Sequence, residues 1–306
     1  MQLQSRLPFQ NERIPKSVRE WYTDRSVTIT GGAGFIGSRI AEALVHCGAQ
    51  VTIIDDFSTG DPLMITGISG DITVVEGSIT DRSALARAVH KSSIIFHTAA
   101  RTSVAASWSD PRDTWHVNVT GTTAVYEAAR EYGALVVFSS SAAVYGNHEG
   151  LCTETLPTLP TSPYGLSKKI GEELAALYAN GFGLTTISLR YFNVYGPRPY
   201  RPGVGVVNEL WDATKHGRSI TVRGDGMQTR DFIFVDDIAT ANLCAGARAP
   251  RGSHSLYNVG TGTARSLKEV LALFDHSASP IRYLPELPGD IRHSRADCTR
   301  LAGLIG

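Results

Sequence analysis

Val27-Thr-Ile-Thr30, then Gly31-Gly-Ala-Gly34-Phe-Ile-Gly37, then the helical run from Ser38 to Cys47: this stretch decides the fold. A β-branched strand, glycines at 31, 34 and 37 and a helix, in that order, build a turn whose backbone can approach an anion. Gly31 permits the tight turn, Gly34 lets the backbone come close to a pyrophosphate, and Gly37 lets helix and strand pack closely, with the helix N-terminus facing the charge. Glycine spacing alone also fits a plain structural turn. Asp55 separates the two readings: it ends the next strand, about 20 residues past the glycines, where a carboxylate accepts the hydroxyls of an adenosine ribose. Its charge repels a 2′-phosphate, which predicts NAD rather than NADP. Asp56, Phe57 and Ser58 shape the same edge, although a solvated turn explains Asp56 equally well.

Outward from this unit, short strands alternate with helical stretches: Val51 to Ile54, Thr73 to Glu76, Ile94 to Thr98, Leu135 to Ser139, Thr185 to Tyr191 and Ser255 to Val259. Near-continuous apolar strands separated by helices predict an α/β fold, a doubly wound parallel sheet with helices on both faces. After Asn193 the texture changes to Pro and Gly turns, as in Tyr195-Gly-Pro-Arg-Pro-Tyr-Arg-Pro-Gly203, which predicts a smaller lobe over the sheet edge. The expected division is an N-terminal arm (1–25), a dinucleotide domain (26–190, with 232–262 returning to it) and a substrate lobe (191–231 and 263–306).

Bulk properties exclude other classes. Across 306 residues, 29 basic side chains balance 29 acidic ones, so no net field draws the chain to nucleic acid or an anionic membrane. Residues 1–25 are polar and proline-broken and lack a signal-peptide apolar region. No run approaches the roughly 18 apolar residues of a membrane span. Cys47, Cys152, Cys244 and Cys298 stand far apart without a CxxC pair, which argues against a zinc site or a disulfide framework and for a reducing cytoplasm.

The reactive groups are written in Thr161-Ser-Pro-Tyr164-Gly-Leu-Ser-Lys168. Ser162 is the expected N-cap and Pro163 the first helical residue, which puts Tyr164 and Lys168 on one helix face. A free phenol titrates near about 10. An adjacent ammonium, a helix N-terminus and a cationic nicotinamide ring all favour the phenolate, so Tyr164 is the candidate base. Ser141 ends a predicted strand at the carboxyl edge where open α/β sheets place ligands, and its hydroxyl can bridge a substrate oxygen and the tyrosine. Ser139 and Ser140 also fit plain strand-end hydrogen bonding.

These residues, with His97-Thr-Ala-Ala100, Asn118-Val-Thr-Gly-Thr122, Arg190-Tyr-Phe-Asn-Val-Tyr-Gly-Pro197, Gly224-Asp-Gly, Arg230-Asp-Phe232 and Tyr257-Asn-Val-Gly260, resemble in order the extended short-chain dehydrogenase/reductases acting on nucleotide sugars. The resemblance spans nearly everything from residue 26 onward. It implies a Rossmann domain with a small C-terminal lobe, tightly held NAD, a nucleotide-sugar substrate and a homodimer built through a four-helix bundle. It implies cofactor contacts from the glycine turn with Phe35 and Ile36, from Ser78 and Ile79, and from the Ala99-Ala100 backbone. Asn118, Ser139 and Tyr191 belong to the same implied set, and Lys168 would also bond the nicotinamide ribose. For the substrate it implies Asn193 and Arg230 on the diphosphate, with Ser103 and Val207 nearby. A surface ion pair with Asp231 or Asp225 is the other reading of Arg230.

Within that family, dehydratases resemble one another in carrying Asp-Glu after the hydroxyl residue and decarboxylases a Glu, where this chain has Ala142 and Ala143. Two methyl groups cannot move the proton that water elimination demands. Epimerisation at C4 through a transient 4-keto sugar needs only the tyrosine, the hydroxyl residue and NAD, and is the expected reaction. Ser294 stands where a small residue leaves room for an acetamido group, so UDP-hexose and UDP-N-acetylhexosamine are both expected substrates. Arg198 and Arg201 instead suggest a carboxylate-bearing sugar. Three positions depart from the family pattern: Leu287 replaces a diphosphate-binding Arg, so that either Arg292 compensates or phosphate binding is weaker; Ser78 replaces an adenine-contacting Asp; and Arg223 replaces an aromatic neighbour of the base. The chain also stops at Gly306, roughly one helix earlier than the resemblance implies. A dehydratase, decarboxylase or 4-ketoreductase, and a catalytically silent dinucleotide sensor, are the competing readings.

Overall fold

The computed structural model describes residues 9, 11–197, 205–286 and 291–305. Arg198, Arg201 and Leu287 lie outside the described residues. In chain order the first half contains α1 (Lys16–Tyr22), β1 (Ser26–Thr30), α2 (Phe35–His46), β2 (Gln50–Asp55), β3 (Ile72–Glu76), α3 (Arg82–Val89), β4 (Ile94–His97), α4 (Val104–Ser109) and α5 (Pro111–Trp115). A π-helical stretch (His116–Gly121) leads into α6 (Thr122–Tyr132), β5 (Leu135–Ser141), α7 (Pro163–Phe182), β6 (Thr186–Tyr191) and β7 (Asn193–Tyr195). The remainder comprises α8 (Val206–Lys215), β8 (Ile220–Arg223), β9 (Thr229–Phe234), α9 (Val235–Arg248), β10 (His254–Val259), β11 (Ala264–Ser266), α10 (Leu267–Leu271), β12 (Ile281–Leu284) and α11 (Thr299–Ile305).

Seven parallel strands form the main sheet in the order β10-β6-β5-β4-β1-β2-β3. The chain runs outward from β1 to β3, then returns to the other side of β1 to lay down β4. The carboxyl ends of β1 and β4 therefore diverge, which opens a crevice at the switch point. Its central strands are fully buried, as their apolar runs require. β3 departs from that expectation: it is the sheet edge, and Val74 lies exposed. Helix α7 begins as its sequence dictates, with the Ser162 side chain accepting from Gly165 N at 3.0 Å and Pro163 in the first turn, and it ends at left-handed Gly183.

Two smaller sheets, β11-β9-β7 and β12-β8, lie beyond the main one. Leu210, Ala213, Ile220, Val222, Leu267, Val270 and Leu271 form their own apolar cluster. No helix among the described residues is long and apolar enough to cross a membrane.

Both chain ends differ from expectation. Residues 11–25, read as an arm, carry α1 into the main core: Ile14, Val18 and Tyr22 are buried beside β1, β4 and α9. Val18 and Tyr22, four apart, share one face of α1, and Ile14 reaches the same core from before Pro15, a pattern hidden by the surrounding charges. At the other end, α11, expected in the lobe, packs on α9 and β10, and Leu301 joins the main core. Tyr22 is the tightest of these joints. Its phenol donates to the Leu243 carbonyl at 2.9 Å, and a Cβ on Gly246 would stand 2.5 Å from the phenol oxygen. Tyr22→Ala should therefore cost about 3–5 kcal/mol of stability, as large aromatic truncations in cores do. Urea unfolding would measure it; a loss below about 1 kcal/mol would mean that the segment is peripheral.

Candidate functional site

The glycine turn is built by exclusion. Gly31 has φ +67°, and a Cβ there would lie 2.8 Å from the Ala99 backbone; one on Gly37 would lie 2.3 Å from the Gly31 carbonyl. Only bare backbone lets β1, the loop after β4 and the first turn of α2 meet. That meeting forms one end of a cleft of about 350 Å³, which Phe35 and Ile36 also line. The first turn of α2 faces it, the arrangement that binds a diphosphate.

Asp55 forms the next wall. It is buried, and its carboxylate accepts from Ala33 N and Phe57 N, each at 2.9 Å. Burial pushes its pKa up, against the two backbone donors that pull it down. A carboxylate offers about four acceptor sites, so two remain for ribose hydroxyls. Capture of Phe57 N holds that residue at φ +53°, a left-handed conformation that a phenylalanine rarely adopts. Its side chain does not line the cleft, whereas Asp56, Ser58, Ser78 and Ile79 do. These features, a glycine turn at the first turn of α2 beside a buried carboxylate with acceptor sites to spare, fit a dinucleotide.

At the other end, β5 and α7 bring Ser139, Ser141, Tyr164 and Lys168 together, with Tyr191 beside them. Lys168 Nζ donates to the Ser139 carbonyl at 2.8 Å and sits 5.9 Å from the Tyr164 ring centre. The Ser139 hydroxyl meets the Tyr191 phenol at 3.1 Å, and that phenol donates to Asn242 Oδ1 at 2.9 Å. The electrostatics correct one expectation. Burial pushes the Tyr164 phenol above its ordinary value, opposed by a hydrogen bond with Ser141, and burial drives Lys168 down to about 7. Desolvation disfavours both charged forms, so the protein groups alone do not favour the phenolate. The Ser141 hydroxyl acts the other way, and a further positive charge in the cleft adds to it.

Several expected contacts lie elsewhere. Asn118 is buried off the cleft: its amide brackets the Arg101 backbone, accepting from N at 2.7 Å and donating to O at 3.0 Å, and donates to Ser167. It therefore positions the loop after β4. Ser103 caps α4, accepting from Ala106 N. Asn193, Val207, Arg223, Arg230, Arg292 and Ser294 belong to β7, β9 and the lobe and do not line this cleft. Arg292 holds Asp225 with both terminal nitrogens, at 2.8 and 2.7 Å, and reaches Glu286 at 3.1 Å. Arg230 donates to the Thr229 carbonyl, and Asp231, one of the two partners of the alternative ion-pair reading, is fully buried, accepting from the backbones of Thr261, Gly262 and Ala296. Ser294 is buried with its amide on the Thr229 carbonyl.

Sequence reasoning missed two residues. Arg101 lines the cleft and spans it, donating Nη1 to Ser58 Oγ and Nε to Asp113 Oδ2, each at 2.6 Å. Its only signal was adjacency to Ala99-Ala100. His97, fully buried between Thr30 and Thr122 hydroxyls, is driven down to about 3 by burial and by the Lys168 charge. It stays neutral and serves as a hydrogen-bonded strut.

Comparison with known proteins fits this geometry. Residues 27–260 match the model of the NAD dependent epimerase/dehydratase family. The chain belongs to that family. It is 38% identical over 288 residues to the UDP-glucose 4-epimerase of Mycolicibacterium smegmatis, covering 91% of both chains. Its fold superposes on the Thermus thermophilus UDP-glucose 4-epimerase in complex with NAD, with a TM-score of 0.84, 33% identity and coverage of 91% and 92%. A TM-score of 0.85 relates it to the UDP-N-acetylglucosamine 4-epimerase of Methanobrevibacter ruminantium in complex with UDP-N-acetylmuramic acid, at 32% identity and 92% coverage of each chain.

The Lys168 value carries a pH signature. Its folded-state pKa of about 7 lies below the ordinary 10.5, so the burial cost is complete below about pH 7 and fades as pH rises toward 10.5. In cofactor-free protein, the melting temperature of Lys168→Met relative to wild type should rise as pH falls from about 10 to about 7, then level off. A difference that does not change with pH would remove the buried ammonium from this account.

Proposed function

We propose that this protein is an NAD-dependent 4-epimerase of nucleotide sugars, acting on UDP-hexoses and, given the small side chain at Ser294, on UDP-N-acetylhexosamines. The observation that carries the reading is the convergence of Ser141, Tyr164 and Lys168 at the far end of a cleft that starts at the glycine turn and Asp55. The relatives named UDP-glucose 4-epimerase support it. So does the apolar pair Ala142 and Ala143, which supplies no acid for dehydration.

In this reading Gly31, Gly34 and Gly37 with the first turn of α2 hold the cofactor diphosphate and Asp55 holds its adenosine ribose. Lys168 holds the nicotinamide ribose while keeping the Ser139 carbonyl. NAD, when bound, supplies the acceptor and then the donor of the C4 hydride, so no net oxidation follows. Tyr164 takes the proton of the C4 hydroxyl and later gives it back, and Ser141 shares that proton. The phenol is raised by burial, and a cationic ring near it lowers the cost of this transfer. Asn193, Val207, Arg223 and Arg230 are assigned to the nucleotide part of the substrate, with Ser103 at the sugar end. Arg292 joins them by exchanging Asp225 for phosphate. The lobe is assigned to the sugar nucleotide and the main sheet to the cofactor.

A homodimer through α6 and α7 is part of the proposal; exposed Tyr132, Leu166, Leu177 and Phe182 on these helices support it. A reducing, cytoplasmic setting is supported by four free thiols, three of them buried.

A panel of UDP-, GDP-, TDP- and CDP-sugars, incubated without added cofactor and resolved by proton NMR, tests the reading: C4 epimers of a UDP-sugar should appear. Tyr164→Phe should lower the rate by about 10²–10⁴-fold, the scale of general base catalysis, while bound NAD persists. A variant as fast as wild type would remove the tyrosine from its role. Asp55→Ala should purify with much less NAD, counted by chromatography of the denatured protein; full occupancy would mean that the ribose is held elsewhere.

A further inference from the structure

Helix α7 grips the end of β5 at three rungs. Residues 164, 168 and 172 are four apart and form a column on one helix face. Tyr164 shares the cleft wall with Ser141, which draws its phenol pKa down, Lys168 Nζ donates to the Ser139 carbonyl at 2.8 Å, and Glu172 Oε1 accepts from the Ser140 hydroxyl at 2.5 Å. Three consecutive strand residues thus face three consecutive helical turns, and the second and third turns hold theirs by hydrogen bonds. The helix is pressed hard against the strand, since a Cβ on Gly171 would stand 2.3 Å from the Phe138 ring.

The third rung alone is anchored from behind. Arg190 is the register partner of Ser140 across β5 and β6, and it forks onto Glu172 with Nε to Oε1 at 2.9 Å and Nη2 to Oε2 at 2.7 Å. Its guanidinium lies over the Tyr145 ring, 4.7 Å from the centre, and the Tyr145 phenol donates to Asn258 Oδ1 at 2.6 Å. Tyr145 closes the short turn that starts at Ser141, so one ion pair holds the chain on both sides of the reactive serine. Ser140, Glu172 and Arg190 are all more than nine-tenths buried, and neither Glu172 nor Arg190 reaches the cleft.

A fork between guanidinium and carboxylate fixes orientation as well as distance. A buried pair is weak evidence for stability, because its desolvation offsets its attraction. What it supplies here is register. A slip of α7 by one residue would move Tyr164 by about 1.5 Å along the helix axis, and misplacement by about 1 Å can cost about 10²-fold in rate.

We propose that Glu172, held by Arg190, is a positioning residue that fixes α7 on β5 and so sets the distance between Tyr164 and Ser141. The inference rests on the reading of Tyr164 as the base. It is tested with Ser140→Ala, Glu172→Gln and the apolar double variant Glu172→Leu/Arg190→Met, beside wild type and Tyr164→Phe. Melting temperature, NAD content, kcat, KM and the pH dependence of kcat/KM are measured for each. Expected are a loss of kcat of about 10-fold in Ser140→Ala and about 100-fold in Glu172→Gln and the double variant, with KM within about threefold and NAD retained. The acidic limb should move to higher pH, because a longer bond to Ser141 supports the phenolate less. The double variant should regain melting temperature without regaining kcat. Recovery of kcat together with stability in the double variant, or full kcat in both Ser140→Ala and Glu172→Gln, would overturn the proposal. Should Glu172→Gln fail to fold, the other two variants decide. An active Tyr164→Phe, or a wild type inert toward every sugar, would bring down the base itself and the positioning role with it.

Discussion

The ammonium of Lys168 inside the protein is the constraint on which the site depends. A lysine is rarely buried, and this one loses its water for one carbonyl bond, to Ser139, and the faces of two aromatic rings. Its pKa falls to about 7 as a result. The carbonyl it holds belongs to the strand that carries Ser141, and the helix it stands on carries Tyr164. Its burial also weighs on its neighbours: His97, driven down partly by the Lys168 charge, is confined to a neutral, structural role between two threonines.

Topology explains why these groups share one cleft with the glycine turn. β1 and β4 are adjacent in space yet separated in sequence by two strands, so their carboxyl-end loops part and leave a crevice. Backbone-only contacts at Gly31 and Gly37 bring α2 to one side of it, and β5 with α7 closes the other. The loop after β4 crosses between them under the hold of Asn118, which lies in a π-helical stretch, a distortion common near functional sites. Cofactor end and reactive end are thereby tied to the same few strand termini.

What could be read from the sequence follows the same physics. Strand–glycine–helix order, alternating apolar runs and the Ser162-Pro163 helix start are local patterns, and the central parallel sheet and the placement of Tyr164 beside Lys168 came directly from them. Non-local facts did not. The docking of α1 depends on the missing side chain of Gly246, whose place the Tyr22 phenol takes, a meeting that no neighbouring residue announces. Asp231 looked like a surface partner for Arg230 because the two are adjacent in sequence, but strand alternation turns one inward onto the 260–262 loop and the other outward. Arg292 carries a guanidinium suited to phosphate, yet its present partners, Asp225 and Glu286, are set by a fold-level meeting of loops.

The corrected electrostatics sharpen the chemistry. A phenol surrounded by formal charges would be ionised at rest, exposed to any proton donor entering the cleft. Here burial raises Tyr164 and lowers Lys168 together, so both neutral forms gain from the same desolvation. The low dielectric that imposes this cost also strengthens any charge brought into the cleft. A cation arriving beside the phenol is therefore felt far more strongly than it would be in water, and it favours loss of the phenol proton, as the proposed role of Tyr164 requires. Coupling of that kind requires the tyrosine, the serine and the lysine to stay in register while charge appears and disappears, which is the demand that the rigid seat of α7 on β5 meets.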